Sequence, residues 1–291
     1  MPERMVRGIR QRFPATALNY RALRLVGSRL PRLTGGWMPW VGLDRFPSPP
    51  LPGPDWVRLR PALSGVCGTD VALLTGKTSA VLSPFASFPA VLGHEVLAEV
   101  VEPGPASGMA GGERVVLDPL LGCVVRGLEP LCTWCAAGQP GHCLRLAEGR
   151  FAPGPMVGFC ADLPGGWSEE LVAHASQLHR APDALRDEAA VLVEPLSVAL
   201  HAVLAEPPAD GQRVLVIGGG TLGLLTLAAL RLVAPGAEVT VVARHPAQRE
   251  LARRLGAAAV VGSPLQAATE RAGARRYRSI LGEDVLTGGV E

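Results

Sequence analysis

The chain has 291 residues, 48% hydrophobic and 19% charged, with a formal net charge of +2. That length suits two domains, and the apolar share excludes global disorder. The small net charge argues against duplex nucleic acid as a partner, and no apolar run reaches the ~18 residues that span a bilayer.

Residues 1–40 carry eight arginines and one acid, Glu3. This start reads as a solvated arm, although an Arg-rich, acid-poor segment also fits a transit peptide. Residues 1–55, expected to hold an N-terminal arm and the first strands, close with Pro47, Pro49, Pro50, Pro52 and Pro54, which predicts irregular or extended chain. Between 56 and 180, short β-like runs alternate with Gly and Pro: Trp56–Arg60, Val96–Val101, Glu113–Leu117 and Glu170–Ala173. Many short strands with turn signals predict a compact, barrel-like β domain.

Four of the six cysteines, Cys123, Cys132, Cys135 and Cys143, cluster within this region. No secretory leader is evident, so the cluster favours metal over disulfides. Cys132, Cys135 and Cys143 have a spacing that suits tetrahedral zinc held by one lobe. The fourth ligand is open: Glu129 is favoured by spacing, and Cys123 is the softer donor further upstream. A closed site of this kind staples a loop.

From 183 to 205, Leu185, Ala189, Leu192, Leu196, Ala199 and Val203 recur every three or four residues. This predicts an amphipathic helix interrupted at Pro195. The following segment alternates strand and helix: Arg213–Ile217, Thr221–Val233, Glu238–Val242, Pro246–Leu255 and Ala258–Val261. Such alternation predicts a parallel sheet with crossover helices.

The first of these strands enters Gly218-Gly219-Gly220-Thr221-Leu222-Gly223, a G-x-G-x-x-G turn that opens a helix. Gly218 would make the tight turn, Gly220 would admit a pyrophosphate, and Gly223 would let helix pack on strand. Free N–H groups at Thr221 and Leu222 would hold the phosphates. The second strand ends in Ala243-Arg244-His245, with no acid to bind a ribose 2′-hydroxyl. Arg244 offers donors to a 2′-phosphate, so NADP is expected over NAD.

Further landmarks are G-V-C-G-T-D at 65–70, G-H-E at 93–95, G-G-E-R-V at 111–115, G-G-W-S-E-E at 165–170 and E-P-L-S-V-A-L-H at 194–201. Together with the cysteine lobe and the glycine turn, these resemble the zinc-dependent medium-chain dehydrogenase/reductase family. The sequence looks like its polyol, threonine and sugar dehydrogenase branch. The likeness covers the chain from about residue 56 to its end. It implies an α/β protein: a GroES-like β-barrel catalytic domain at 56–205, linking helix included, followed by a partial Rossmann domain, a doubly wound parallel sheet, at 206–291. It also implies catalytic zinc at Cys67 and His94, with Glu95 and Glu194 as third ligand or supporting carboxylate, and Thr69 as the hydroxyl that relays the alcohol proton.

The implied activity is hydride transfer between a small alcohol and NADP or NAD, using one catalytic and one structural zinc. A cytoplasmic homo-oligomer without membrane or nucleic-acid partners is implied for a complete chain. Gly288-Gly289-Val290-Glu291 reads as the lead-in to a fourth strand, so the nucleotide domain is expected to be incomplete and the subunit interface lost. The alternative reading is accordingly an inactive fragment that binds zinc or nucleotide at most, and little or no turnover is expected from these 291 residues.

Overall fold

A computed structural model describes residues 4–11, 21, 25, 41–271 and 273–287. Most of the Arg-rich stretch before residue 41 and the expected lead-in at 288–291 lie outside the described residues. The chain divides into two units, Met1–Glu194 and Pro195–Glu291.

In the first unit, β1 (Met5–Gln11), β2 (Val41–Pro47) and β3 (Trp56–Ser64) lead into a short helix, α1 (Gly68–Leu74). Next come β4 (Ala90–Val91), β5 (Val96–Pro103), β6 (Arg114–Leu117), and two single-turn helices, α2 (Cys123–Arg126) and α3 (Thr133–Ala136). The unit continues with β7 (Leu171–His174), β8 (Leu178–Arg180) and α4 (Asp187–Ala190). An antiparallel five-stranded sheet has the order β7-β3-β5-β6-β8, and a second sheet has the order β2-β1-β4. The first sheet's core is built by Trp56, Val57, Leu59, Val96, Ala98, Val100, Val115 and Leu117. Each of the valine and leucine side chains contributes ~1.5–3 kcal/mol on full burial.

Within the stretch expected to hold an N-terminal arm and first strands, residues 5–11 and 41–47 form strands. Strand β1 is bonded along both edges: to β2 on one side, and on the other to β4 and the 167–169 segment. Ile9 N–H donates to the Trp167 carbonyl at 2.8 Å, and Glu169 N–H donates to the Arg7 carbonyl at 2.9 Å. Two arginines of this start are matched by acids: Arg4 pairs with the buried Glu170, and Arg7 with Glu169. Arginine composition says nothing of these distant carboxylates, so the pairing is invisible along the sequence.

Helix α5 (Val193–Ala205) opens the second unit. Pro195 does not interrupt it. It sits in the first turn, where the missing N–H has no intrahelical partner to lose; the break falls between α4 and α5. Leu200 and Val203 pack on the core of the second unit. The succession is β9 (Arg213–Ile217), α6 (Thr221–Val233), β10 (Glu238–Val242), α7 (Pro246–Arg254) and β11 (Ala259–Val261). The three strands form a parallel sheet of order β11-β10-β9. An exposed antiparallel pair, β12 (Arg275–Arg278) and β13 (Asp284–Thr287), follows; its polar faces carry no burial pattern to announce it.

Candidate metal and nucleotide sites

Two turns of the first unit bring distant residues together. Cys67 ends the loop after β3 and caps α1, while His94 and Glu95 lie between β4 and β5. The Cys67 thiol, the His94 ring and the Glu95 carboxylate lie within 4.8 Å of one another. Glycine permits the approach, since a Cβ on Gly65 would collide with the Glu95 carboxylate. Thr69 is exposed, with Oγ1 3.4 Å from His94 Nε2. Glu194 lies outside the three-residue group but feels its charge. Burial and the neighbouring Glu95 and Asp118 push its carboxyl up, against the pull of His94.

Sequence reasoning passed over Asp70 as an individual. It is fully buried, and Oδ2 accepts the Cys67 backbone N–H at 3.0 Å. Oδ1 faces His94 Nδ1. Burial alone would lower the pKa of His94; the Asp70 carboxylate and Cys67 override it and raise it to about 9. The available signal was a lone acid three residues after the cysteine. One soft thiolate, one imidazole and one carboxylate form a donor set that fits zinc and leaves a position open for another ligand.

The second group contains Cys123, Cys132, Cys135 and Cys143, again within 4.8 Å. Cys123, the alternative to the favoured Glu129, completes it. Glu129 is exposed in the turn after α2 and is not in the group. The physical reason is local. Helix α2 starts at Cys123 and buries its thiol, so nine residues of separation collapse into contact, whereas regular spacing leaves Glu129 facing solvent. His142 is also exposed, its ring 5.1 Å from that of Trp134.

Cys123 Sγ and Cys143 Sγ are 3.7 Å apart. A tetrahedron with Zn–S bonds of ~2.3 Å has an edge of ~3.8 Å, so the quartet fits zinc. Backbone N–H groups of Leu144 and Cys135 hold the Cys132 thiol down at about 6, while burial pushes Cys135 up to about 12. Like charges keep the bare quartet from ionising fully, and a divalent cation removes that conflict.

In the second unit, Gly218 has φ +118°, and a Cβ on Gly223 would collide with the Gly218 carbonyl oxygen. A Cβ on Gly220 would meet nothing within 4 Å, which leaves an open cradle at the N-terminus of the thirteen-residue helix α6. Thr221 and Leu222 are exposed there, and no side chain caps the turn. The glycine turn therefore fits a pyrophosphate. Arg244 is exposed after β10, without a side-chain partner among the described residues. Arg249 braces this loop, Nε donating to the Ala243 carbonyl at 2.9 Å and Nη2 to that of Arg244 at 3.2 Å.

Residues 53–183 match the alcohol dehydrogenase GroES-like domain. The chain is 33% identical to L-galactonate-5-dehydrogenase of Escherichia coli (strain K12) over 202 residues, 69% of this chain and 52% of the relative. It is 32% identical to L-threonine 3-dehydrogenase of Pyrococcus horikoshii over 216 residues, 73% of this chain and 56% of the relative. The chain thus spans about half the length of the curated relatives it matches. Among solved structures, a protein assigned as a zinc-binding dehydrogenase from Sinorhizobium meliloti 1021, bound to NADP, is 28% identical with a TM-score of 0.67. The match covers 91% of this chain and 65% of that one. Galactitol-1-phosphate dehydrogenase of Escherichia coli is 25% identical with a TM-score of 0.63, over 79% of this chain and 60% of that one.

Proposed function

We propose that the chain is a zinc- and NAD(P)-dependent oxidoreductase of the zinc-binding, medium-chain alcohol dehydrogenase type, as its GroES-like domain match at residues 53–183 supports. Its substrates in this reading are small alcohols bearing further polar groups, of the polyol, sugar-acid or hydroxy-amino-acid class. The relatives named for galactonate and threonine support that class.

The observation that carries the proposal is the meeting of Cys67, His94 and Glu95, with the Thr69 hydroxyl beside them. Cys67, His94 and one or both of Glu95 and Glu194 would hold the catalytic zinc. Cys123, Cys132, Cys135 and Cys143 would hold the structural zinc. When bound, zinc supplies a Lewis acid for an alcohol or carbonyl oxygen, and the nucleotide supplies the hydride chemistry.

The chain's own groups position and move protons. Asp70 Oδ1 lies 3.6 Å from His94 Nδ1 and would hold that side of the ring, leaving Nε2 for the metal. Thr69 Oγ1 is exposed beside that nitrogen and can accept a hydrogen bond from a substrate hydroxyl. Glu194, its carboxyl pushed up by burial, holds a proton more readily than a solvated carboxylate. Gly220, Thr221 and Leu222 present the open turn to the pyrophosphate, and Arg244 offers a guanidinium to a ribose 2′-phosphate, which favours NADP.

The test is reduction of NADP and NAD by the zinc-loaded chain with sorbitol, galactonate, threonine and ethanol. NADP reduction with a polar alcohol, lost in Cys67→Ser and His94→Ala, supports the reading and overturns that of an inactive fragment, whereas a zinc-loaded chain with no turnover favours the fragment. Equal turnover in both variants would reject zinc catalysis at this site.

A further inference from the structure

Arg126 ends helix α2, three residues after Cys123, and is fully buried. A buried arginine is ordinarily paired with a carboxylate. Arg126 instead spends all five of its N–H donors on backbone carbonyls. Nε donates to Leu121 at 3.1 Å, Nη1 to Glu148 at 2.9 Å and Phe151 at 3.1 Å, and Nη2 to Ala152 at 3.2 Å and Gly154 at 2.7 Å. Its own carbonyl accepts the Arg150 N–H at 3.2 Å. One side chain thus fastens the turn that carries Cys123 to residues 148–154, which follow closely on Cys143.

Carbonyl dipoles satisfy the donors but leave a full positive charge in the interior. Burial lowers the Arg126 pKa, opposed by Cys160, Cys143, Asp162 and Cys123. Burial pushes the Cys160 thiol up, so it stays neutral, and Asp162 is exposed. Four thiolates around one Zn²⁺ carry a net charge of −2, and this is the buried anion that a buried cation at this point can offset.

We propose that Arg126 is the positioning residue of the cysteine lobe. Its fork fixes Cys123 and Cys143 in facing positions, and its charge offsets that of the metal tetrathiolate. This inference rests on the reading above that the cysteine quartet binds zinc.

The experiment titrates cobalt(II) and then zinc into metal-free full chain, following the cobalt–thiolate charge-transfer absorption. The intensity lost in Cys123→Ser defines the cysteine-lobe signal. Arg126→Met should weaken metal binding at that site ~10–100-fold and shift the charge-transfer band, with occupancy of the Cys67–His94 site retained. Arg126→Lys, which keeps the charge but not the fork, should fall between wild type and Arg126→Met. If Arg126→Met fails to fold, Arg126→Lys decides alone: weakening of about tenfold supports the proposal. Wild-type affinity in every variant that folds overturns it. A wild type with no band sensitive to Cys123→Ser ends the zinc reading of the quartet, and this inference with it, whereas an unshifted affinity in the Arg126 variants ends this inference alone.

Discussion

Asp70 Oδ1 and His94 Nδ1 face each other 3.6 Å apart, both buried, and neither has a hydrogen-bond partner. Two orphaned polar atoms of complementary character cost free energy until they close on each other. Drawing the ring onto the carboxylate leaves Nε2 free to meet a metal. Asp70→Asn should therefore reduce zinc affinity at the Cys67–His94 site ~10–100-fold and leave the cysteine lobe loaded. Elemental analysis after dialysis against a weak chelator would show close to one zinc per chain instead of two; two retained zincs would contradict the role.

The cysteine quartet yields a discriminating pair of variants. Cys123→Ser removes one corner of the tetrahedron and should abolish zinc at the lobe. Glu129→Gln changes an exposed side chain outside the group and should leave zinc content unchanged. Loss of zinc in Glu129→Gln, with retention in Cys123→Ser, would restore the glutamate as the ligand.

What the sequence could reveal follows from how local each feature is. The strand at Arg213–Ile217 and the helix at Thr221–Val233 depend on periodicity within one segment and on glycines with nearby mechanical duties, and both form where the pattern puts them. Cys67 and His94 are joined only by strand pairing, so resemblance to a family grouped them where spacing could not. Spacing favours Glu129 over Cys123, yet linear regularity is a poor guide to distance once a single helical turn folds the chain back. Arg126 left no sequence signal at all: an arginine in a Cys-Val-Val-Arg run looks solvated, and its carbonyl partners are a property of loop closure.

Arg7 and Glu169 join β1 to the barrel, with Arg7 Nε donating to Oε1 at 2.6 Å and the Arg7 backbone N–H donating to Oε2 at 2.8 Å. The hydrogen bond from Arg7 holds the Glu169 carboxyl below its usual range. A depressed carboxylate adds stability above its unfolded pKa of ~4.3, and that stability disappears as pH falls through the lower folded value. Glu169→Gln should thus reduce the hydrogen-exchange protection of residues 5–11 above about pH 5, by up to about fivefold because the pair is exposed. The difference should vanish once the wild-type carboxyl is protonated. A difference that persists unchanged into acid would mean that the carboxylate charge does not hold β1.

Arg244 stands exposed at the end of β10, on a loop that Arg249 braces through two carbonyls. In that position its guanidinium can form charge-assisted hydrogen bonds to a phosphate, whereas a bare 2′-hydroxyl gives it no charge to meet. Bonds of this type contribute ~1.5–3 kcal/mol, or ten- to hundredfold in affinity. Arg244→Ala should therefore raise the Kd for NADPH by that factor and shift NADH by no more than about twofold, a small fraction of the charge-assisted contribution. Arg249→Ala should weaken NADPH less, since it removes the brace and leaves the charge in place. Calorimetric titration of both nucleotides into the three proteins separates these effects. A wild type that prefers NADH, or equal losses for both nucleotides in Arg244→Ala, would show that Arg244 does not read the 2′-phosphate.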